Sequence, residues 1–216
     1  FVEGVPTTET PAQASIRQSV GGENDGPSRQ LGRFVSSVAA NSSTDMDVRV
    51  VWRRDRYLRG SDHISFLLRG YPAARFTEPR ENFNHEHNDV RTENGVQFGD
   101  LPQFCDFEYI ARVARVNLAT LWSLAQAPST PKNVLIDTAA LTNMSTLKWT
   151  MGTEPDLAGY EIVWRDSTAA DWTHVIPVGK VATATVDISK DNVQFGVRSV
   201  GTTGHRSPAA SPAPSA

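Results

Sequence analysis

The sequence predicts an α/β fold followed by a separate all-β sandwich. Three observations lead there. Helical and strand-like apolar periodicities alternate between residues 24 and 126. Residues 127–131, Ala-Pro-Ser-Thr-Pro, have the composition of a linker. Beyond them, short apolar stretches recur at even spacing between turn residues.

Taken in order, residues 1–24 read as loop, with a short helix over Pro11 to Gln18. Asn24-Asp25-Gly26-Pro27 starts a helix, since proline in a first turn loses no needed N–H. Leu31, Phe34, Val35 and Val38 fall at i, i+3, i+4 and i+7 and would face a core. Asn41-Ser42-Ser43 ends that helix. Val48, Val50 and Trp52 alternate with Arg49, Val51 and Arg53, as in a strand. Asp62 to Leu68 forms a short helix capped by Ser61 and broken by Gly70-Tyr71-Pro72; Ala73 to Thr77 reads as strand. A long helix covers Phe104 to Gln126, with Phe107, Ile110, Ala114, Leu121 and Leu124 sharing one apolar face. Cys105, at its start, reads as a small buried hydrophobe.

After the linker at 128–131, strands are expected at 132–138, 145–150, 158–165, 173–178, 181–187 and 193–200. The first unit is thus 1–127 and the sandwich 132–207. Residues 208–216, rich in Pro, Ala and Ser, read as a disordered tail. Leu147 and Trp149, Gly159-Tyr160-Glu161-Ile162 and Phe195-Gly196-Val197-Arg198 make the sandwich resemble a fibronectin type III module. Trp149, Tyr160, Trp164 and Trp172 read as core or strand-face residues, with a sugar platform as the alternative.

The chain has 216 residues, 39% hydrophobic and 21% charged, which suits a globular protein. A net charge of -3 without a long Lys/Arg cluster gives no nucleic-acid signature. No apolar run approaches the roughly 18 residues of a membrane helix. The start, Phe-Val-Glu-Gly-Val-Pro, shows no signal pattern and reads as a cut through a larger protein.

Chemistry concentrates in residues 60–89. His85 and His87 stand beside Glu81, Glu86 and Asp89, a mixture of imidazole and carboxylate that suits a metal. The stretch carries Ser61-Asp62-His63, Phe66, Gly70-Tyr71-Pro72-Ala73, then His85 with Asp89 four residues on. In that order these resemble the closing segment of the co-catalytic zinc aminopeptidases. That family includes bacterial leucyl aminopeptidases and is related to glutamate carboxypeptidase and glutaminyl cyclase.

The resemblance implies part of a three-layer α/β/α zinc-peptidase fold and hydrolysis of a peptide or aminoacyl substrate at its free N-terminus. It implies two zinc ions bridged by water and a carboxylate, and a secreted or periplasmic location. Only the final zinc ligand has a counterpart here, His85, with His87 as the alternative. The other ligands and the general-base Glu would come from a missing N-terminal half of the catalytic domain. Asp89 would orient His85 or tie its loop. The family's oxyanion donor is a Tyr just before the final His or a few residues before Ser-Asp-His. Asn84 and Leu58 fall at those positions, so Tyr57 is the candidate donor, with Arg59 or Asn84 as substitutes. Phe76 and Phe83 flank the His85 loop and either line an apolar substrate pocket or belong to a core. Glu78 and Glu81 read as solvated charges. Alone, such a chain would be inactive. The competing expectation is a non-catalytic binding protein on a peptidase-like scaffold, with the sandwich as its adhesion module.

Overall fold

The computed structural model describes residues 10–12, 25–41, 43–51 and 61–215. Helix α1 is Pro27–Ala39, α2 is His63–Leu67 and α3 is Phe107–Gln126. A hairpin of β1 (Arg91–Glu93) and β2 (Val96–Phe98) lies between α2 and α3. Seven strands follow: β3 (Lys132–Asp137), β4 (Ser145–Thr150), β5 (Leu157–Asp166), β6 (His174–Gly179), β7 (Thr183–Val186), β8 (Val193–Gly201) and β9 (Ala213–Ser215).

Local chemistry accounts for the helix ends. Pro27 occupies the first turn of α1, after an extended Gly26. Thr44 closes its other end, its hydroxyl donating to the Ala39 carbonyl at 2.6 Å. Asp106 caps α3 by accepting from the Tyr109 amide at 2.9 Å, and Glu108 complements the dipole in the first turn. Val35 and Ala39 of α1 meet Val116 of α3 in a small core flanked by Leu31, Met46 and Val48.

The C-terminal strands form two sheets in the orders β7-β4-β3-β9 and β6-β5-β8. Alternation directs Val134, Leu147, Trp149, Tyr160, Ile162, Phe195 and Val197 into one core. The Trp149 and Tyr160 rings tilt together at 5.3 Å, and the Tyr160 hydroxyl accepts from the Gly152 amide at 2.7 Å.

β5 is buried on both faces, unlike the half-exposed strand that alternation usually gives. Its outward residues Glu161, Val163 and Arg165 are covered. Trp172 lies against Gly196 and Val163, where an added Cβ on Gly196 would stand 2.9 Å from the indole. Arg165 reaches Asp25, just ahead of α1. The Arg165 Nη2 donates to both Asp25 carboxylate oxygens at 2.9 and 2.7 Å, and Arg33 Nη1 lies 2.7 Å from Oδ1. Both guanidiniums stand 5.5 Å from the Trp172 ring. Gln30 donates to the Asp25 carbonyl and to Ser211, and accepts from the Trp172 indole N–H at 3.1 Å. The helical half and the sandwich are therefore one packed body along this seam.

Several expectations are corrected. Residues 45–51 form no strand, and Trp52 lies outside the described residues. Residues 73–77 form no strand. Among the described residues no α/β/α layering is present; the only sheet before residue 127 is the β1-β2 hairpin. Cys105 is exposed, extended just after the short 3₁₀ turn Pro102–Phe104 that precedes α3. Residues 208–215 are held rather than free: Ala210 bridges Val197, and β9 pairs in parallel with β3. The linker is pinned too, since Ser199 donates to the Pro128 and Ser129 carbonyls. Among the described residues no helix is long and apolar enough to cross a membrane.

Two consequences are measurable. Asp25→Ala strands two buried guanidiniums, and chemical denaturation should read a loss of about 3–5 kcal/mol. A loss below about 1 kcal/mol would mean the seam is solvated and weak. Glu161 gives the second. Burial pushes its carboxyl up, but hydrogen bonds and charge from Arg206 and Arg198 outweigh this and hold it below the ordinary 4.5. A depressed folded-state value stabilises above 4.5 and is lost as pH falls through the lowered folded value. Glu161→Gln should therefore lower stability at neutral pH and flatten its decline on acidification. Parallel acid limbs in the two proteins would assign the decline to other carboxylates.

Candidate functional site

The His85 loop is built from short-range hydrogen bonds. α2 ends where Gly70 enters the left-handed region at φ 79°, letting the Tyr71 amide reach back to the Phe66 carbonyl at 3.1 Å. The chain then runs extended through Pro72 and Ala73. The Ala73 amide donates at 3.2 Å to the Ser28 hydroxyl, a buried group on α1. The Gly-Tyr-Pro-Ala stretch is thereby tied to the same helix that meets the sandwich.

Residues 82–88 turn tightly. The Asn82 side chain accepts from the Asn84 amide at 3.1 Å, and the Asn82 carbonyl accepts from the His85 amide at 3.0 Å. The Asn88 amide group donates to the carbonyls of Phe83 and Glu86, both at 2.9 Å. His87 takes a positive φ of 52°, as the turn demands. The β1-β2 hairpin follows at once, and the Gly99 amide after it donates to the Asn84 carbonyl at 2.9 Å. Gly99 has a φ of 96°, and a Cβ there would meet the Val90 Cα at 2.6 Å.

This frame presents His85 half-buried, its ring stacked on Phe104 at 3.5 Å and 8°. Its Nε2 lies 3.4 Å from the Asn82 side-chain nitrogen. His87 and Asp89 are exposed. Among the described residues no carboxylate pairs with His85; the Asp89 backbone carbonyl accepts from Arg91 at 3.4 Å. Glu81 accepts from the Thr77 hydroxyl at 3.1 Å. Phe83 is 61% exposed and Phe76 39%, so neither belongs to a core. His63 is buried in α2, and Asp62 makes no capping bond. Tyr57 and Arg59 lie outside the described residues.

Among the described residues, no three His, Cys, Asp or Glu side chains converge on a point that could hold a metal. Zinc takes about four ligands. The described residues therefore do not form a zinc site by themselves; they hold one imidazole in a fixed pose. Sequence reasoning missed Phe104 as the stacking partner and the hairpin that carries Gly99. Asn94-Gly95 between Thr92-Glu93 and Val96-Gln97 was the available signal, and both turn residues adopt positive φ. A groove of about 590 Å³ lies elsewhere, between α1 and α3, lined in part by Val38, Thr44, Arg115, Leu118 and Trp122.

These features define a class of molecule: a helical half carrying one presented imidazole, clamped to a β-sandwich. No family model matches the chain. It is 54% identical over 216 residues to a probable zinc metalloprotease of Pyrenophora teres f. teres, covering 99% of this chain and 45% of that protein. A probable zinc metalloprotease of Leptosphaeria maculans is 54% identical over 214 residues, covering 99% of this chain and 50% of that one. One from Pyricularia oryzae is 54% identical over 216 residues, covering 98% and 43%. The chain thus spans about half the length of the curated relatives it matches. Among solved structures, a Fn3-like protein from Clostridium thermocellum matches 41% of this chain and 93% of its own at 15% identity, TM-score 0.34. The fn3 domain of human collagen alpha-1(XX) chain matches 42% and 90% at 19% identity, TM-score 0.33. The two-sheet architecture described above rests on strand pairing alone.

Gly99→Ala should test the frame. The methyl group collides with Val90 in a backbone region that L-residues avoid, so the Asn84 tether should break and His85 should leave Phe104. The His85 ring-proton resonances should then lose the upfield shift that a stacked ring imposes. Unmoved resonances would show that the tether does not position the imidazole.

Proposed function

We propose that this chain is the C-terminal half of a zinc metallopeptidase of the aminopeptidase type, followed by a fibronectin type III-like sandwich. The observation that carries the reading is similarity along the chain: 54% identity over 99% of it to a protein named a probable zinc metalloprotease and about twice as long. The ordered motifs from Ser61 to Asp89 add the aminopeptidase type. The Gly70 helix break and the tight Asn82–Asn88 turn suit a segment whose task is to place one ligand.

In this reading His85 is one zinc ligand, and its companions and the general-base Glu come from the other half of the longer protein. Zinc, when bound, supplies an activated water for peptide hydrolysis. The residues of this chain hold the imidazole and shape the approach to it. Stacking on Phe104 and the turn bonds order the ring before any ion arrives, lowering the entropic cost of ligation. Exposed Phe83 and Phe76 would offer apolar surface to the substrate's first side chain. Tyr57 is the proposed oxyanion donor. His87, exposed and turned by its positive φ, is the alternative ligand.

In the longer protein, His85→Ala should lower hydrolysis of a leucyl chromogenic amide by roughly 100-fold or more and remove zinc from one site. His87→Ala should leave both near the parent level. Loss confined to His87→Ala would reverse the ligand assignment. A longer protein that binds no zinc and cleaves no amide would instead favour the binding-protein alternative.

A further inference from the structure

α3 packs with the wrong side inward. A helix of 20 residues, roughly 30 Å long, normally buries its apolar stripe. Here the buried positions are Val116 and Thr120, which face α1. The apolar stripe runs along the other side through Phe107, Ile110, Ala114, Leu118, Leu121 and Ala125, and all six are exposed. Leu118 is 67% exposed and Leu121 65%. No charged residue interrupts the stripe, and the groove between α1 and α3 opens beside it at Leu118 and Trp122. Apolar surface this continuous is rare on a free protein and marks a contact.

We infer that this stripe is a docking surface, and that its occupant is the half of the longer peptidase chain that these residues do not span. The occupant follows only if the chain is one part of such a peptidase, as proposed above. Two observations select it. The similarity to relatives about twice as long covers 99% of this chain, α3 included, so proteins of that length carry additional polypeptide that is free to cover the stripe. The stripe is also uncharged, which suits the apolar face of a sheet or helix and not a nucleic acid or an acidic ligand. Side chains from the occupant would enter the groove over Trp122. The helix would become a central element, with α1 on one side and the rest of the catalytic domain on the other.

The test compares one substitution pair in two settings. These 216 residues replace their counterpart in the Pyrenophora teres relative, and Leu118→Asp with Leu121→Asp is introduced there and in the 216-residue chain alone. The pair should lower the melting temperature of the chimera by roughly 10 °C or more, because two buried apolar contacts become buried carboxylates. In the 216-residue chain the shift should stay under about 2 °C, because both positions are already exposed. Leu121→Met, which keeps the apolar area, should leave both melting temperatures in place. Equal small shifts in both settings would overturn the inference. So would a chimera that self-associates and becomes monomeric on substitution, since a second copy would then be the occupant. A chimera without cooperative unfolding would show that the two parts share no core, with the same consequence. Chelator-sensitive amide hydrolysis by the unsubstituted chimera is read separately. Its absence sinks the peptidase reading and leaves the melting comparison to decide the docking surface.

Discussion

The buried carboxylate of Asp25 is the constraint on which the remaining architecture depends. It stands ahead of α1 and is shared between Arg33 of that helix and Arg165 of β5. Burying three charged groups is costly, and burial together with the charge of Arg165 pulls the Arg33 guanidinium below its usual range even as Asp25 pulls the other way. The arrangement survives because most polar atoms at the seam have a partner, Arg165 Nε being an exception among the described residues. Arg33 Nε donates to the Ala170 carbonyl and Arg165 Nη1 to that of Ala169, so the turn after β5 supplies the acceptors that one carboxylate cannot. Trp172 then covers both guanidiniums with an aromatic face. Charge, carbonyls and ring must all be in register, and that fixes α1 on the sandwich in one orientation.

Much else follows from that orientation. α1 lies against α3 through Val35, Ala39 and Val116, so the clamp also sets where α3 stands. The same helix carries Ser28, whose hydroxyl holds the Ala73 amide and with it the approach to the His85 loop. The sandwich is thus a support for the helical half rather than an appended module on a free linker. The pinning of Pro128 and Ser129 by Ser199 agrees with this. It also explains why β5 has no solvent face: one side is the sandwich core, and the other is the floor of the seam.

The sandwich strands were legible because each is a short apolar run that ends at a turn, and β4 alternates cleanly, with Leu147 and Trp149 inward before Glu154-Pro155-Asp156. What stayed hidden was non-local. β9 is composed of Ala, Pro and Ser and looks like a tail; only its parallel pairing with Leu135, Ile136 and Asp137 makes it a strand. Val48 and Val50 alternate like a strand, yet a strand needs a neighbour to satisfy its amides, and sequence does not supply one. The α3 period was legible while what its stripe meets was not, because an apolar stripe does not say what covers it. In the candidate site, His85 was named from motif order. Its ring partner Phe104 is 19 positions away in sequence, and Asn94-Gly95 was a readable hairpin signal passed over beside the conspicuous histidines.

The contrast between the two ends of the helical half carries a physical meaning. At the sandwich end the charges of Asp25, Arg33 and Arg165 are buried and paired with one another. At the other end lie exposed Phe66, Leu68, Phe83, Phe107, Leu118 and Trp122, together with an imidazole held by a ring and an asparagine rather than by a carboxylate. Polar groups at a finished site are satisfied by their neighbours, whereas a ligand awaiting an ion keeps its lone pair available. The His85 loop is ordered by backbone and amide bonds, and Asn82 Nδ2 stands 3.4 Å from the ring's Nε2. α3 shows a similar contrast, its N-terminus capped by Asp106 while its apolar side is bare. A helix this long gains most of its stability from packing of its apolar face rather than from propensity. The geometry is therefore that of a surface shaped against something further, with the clamp at Asp25 keeping it in shape.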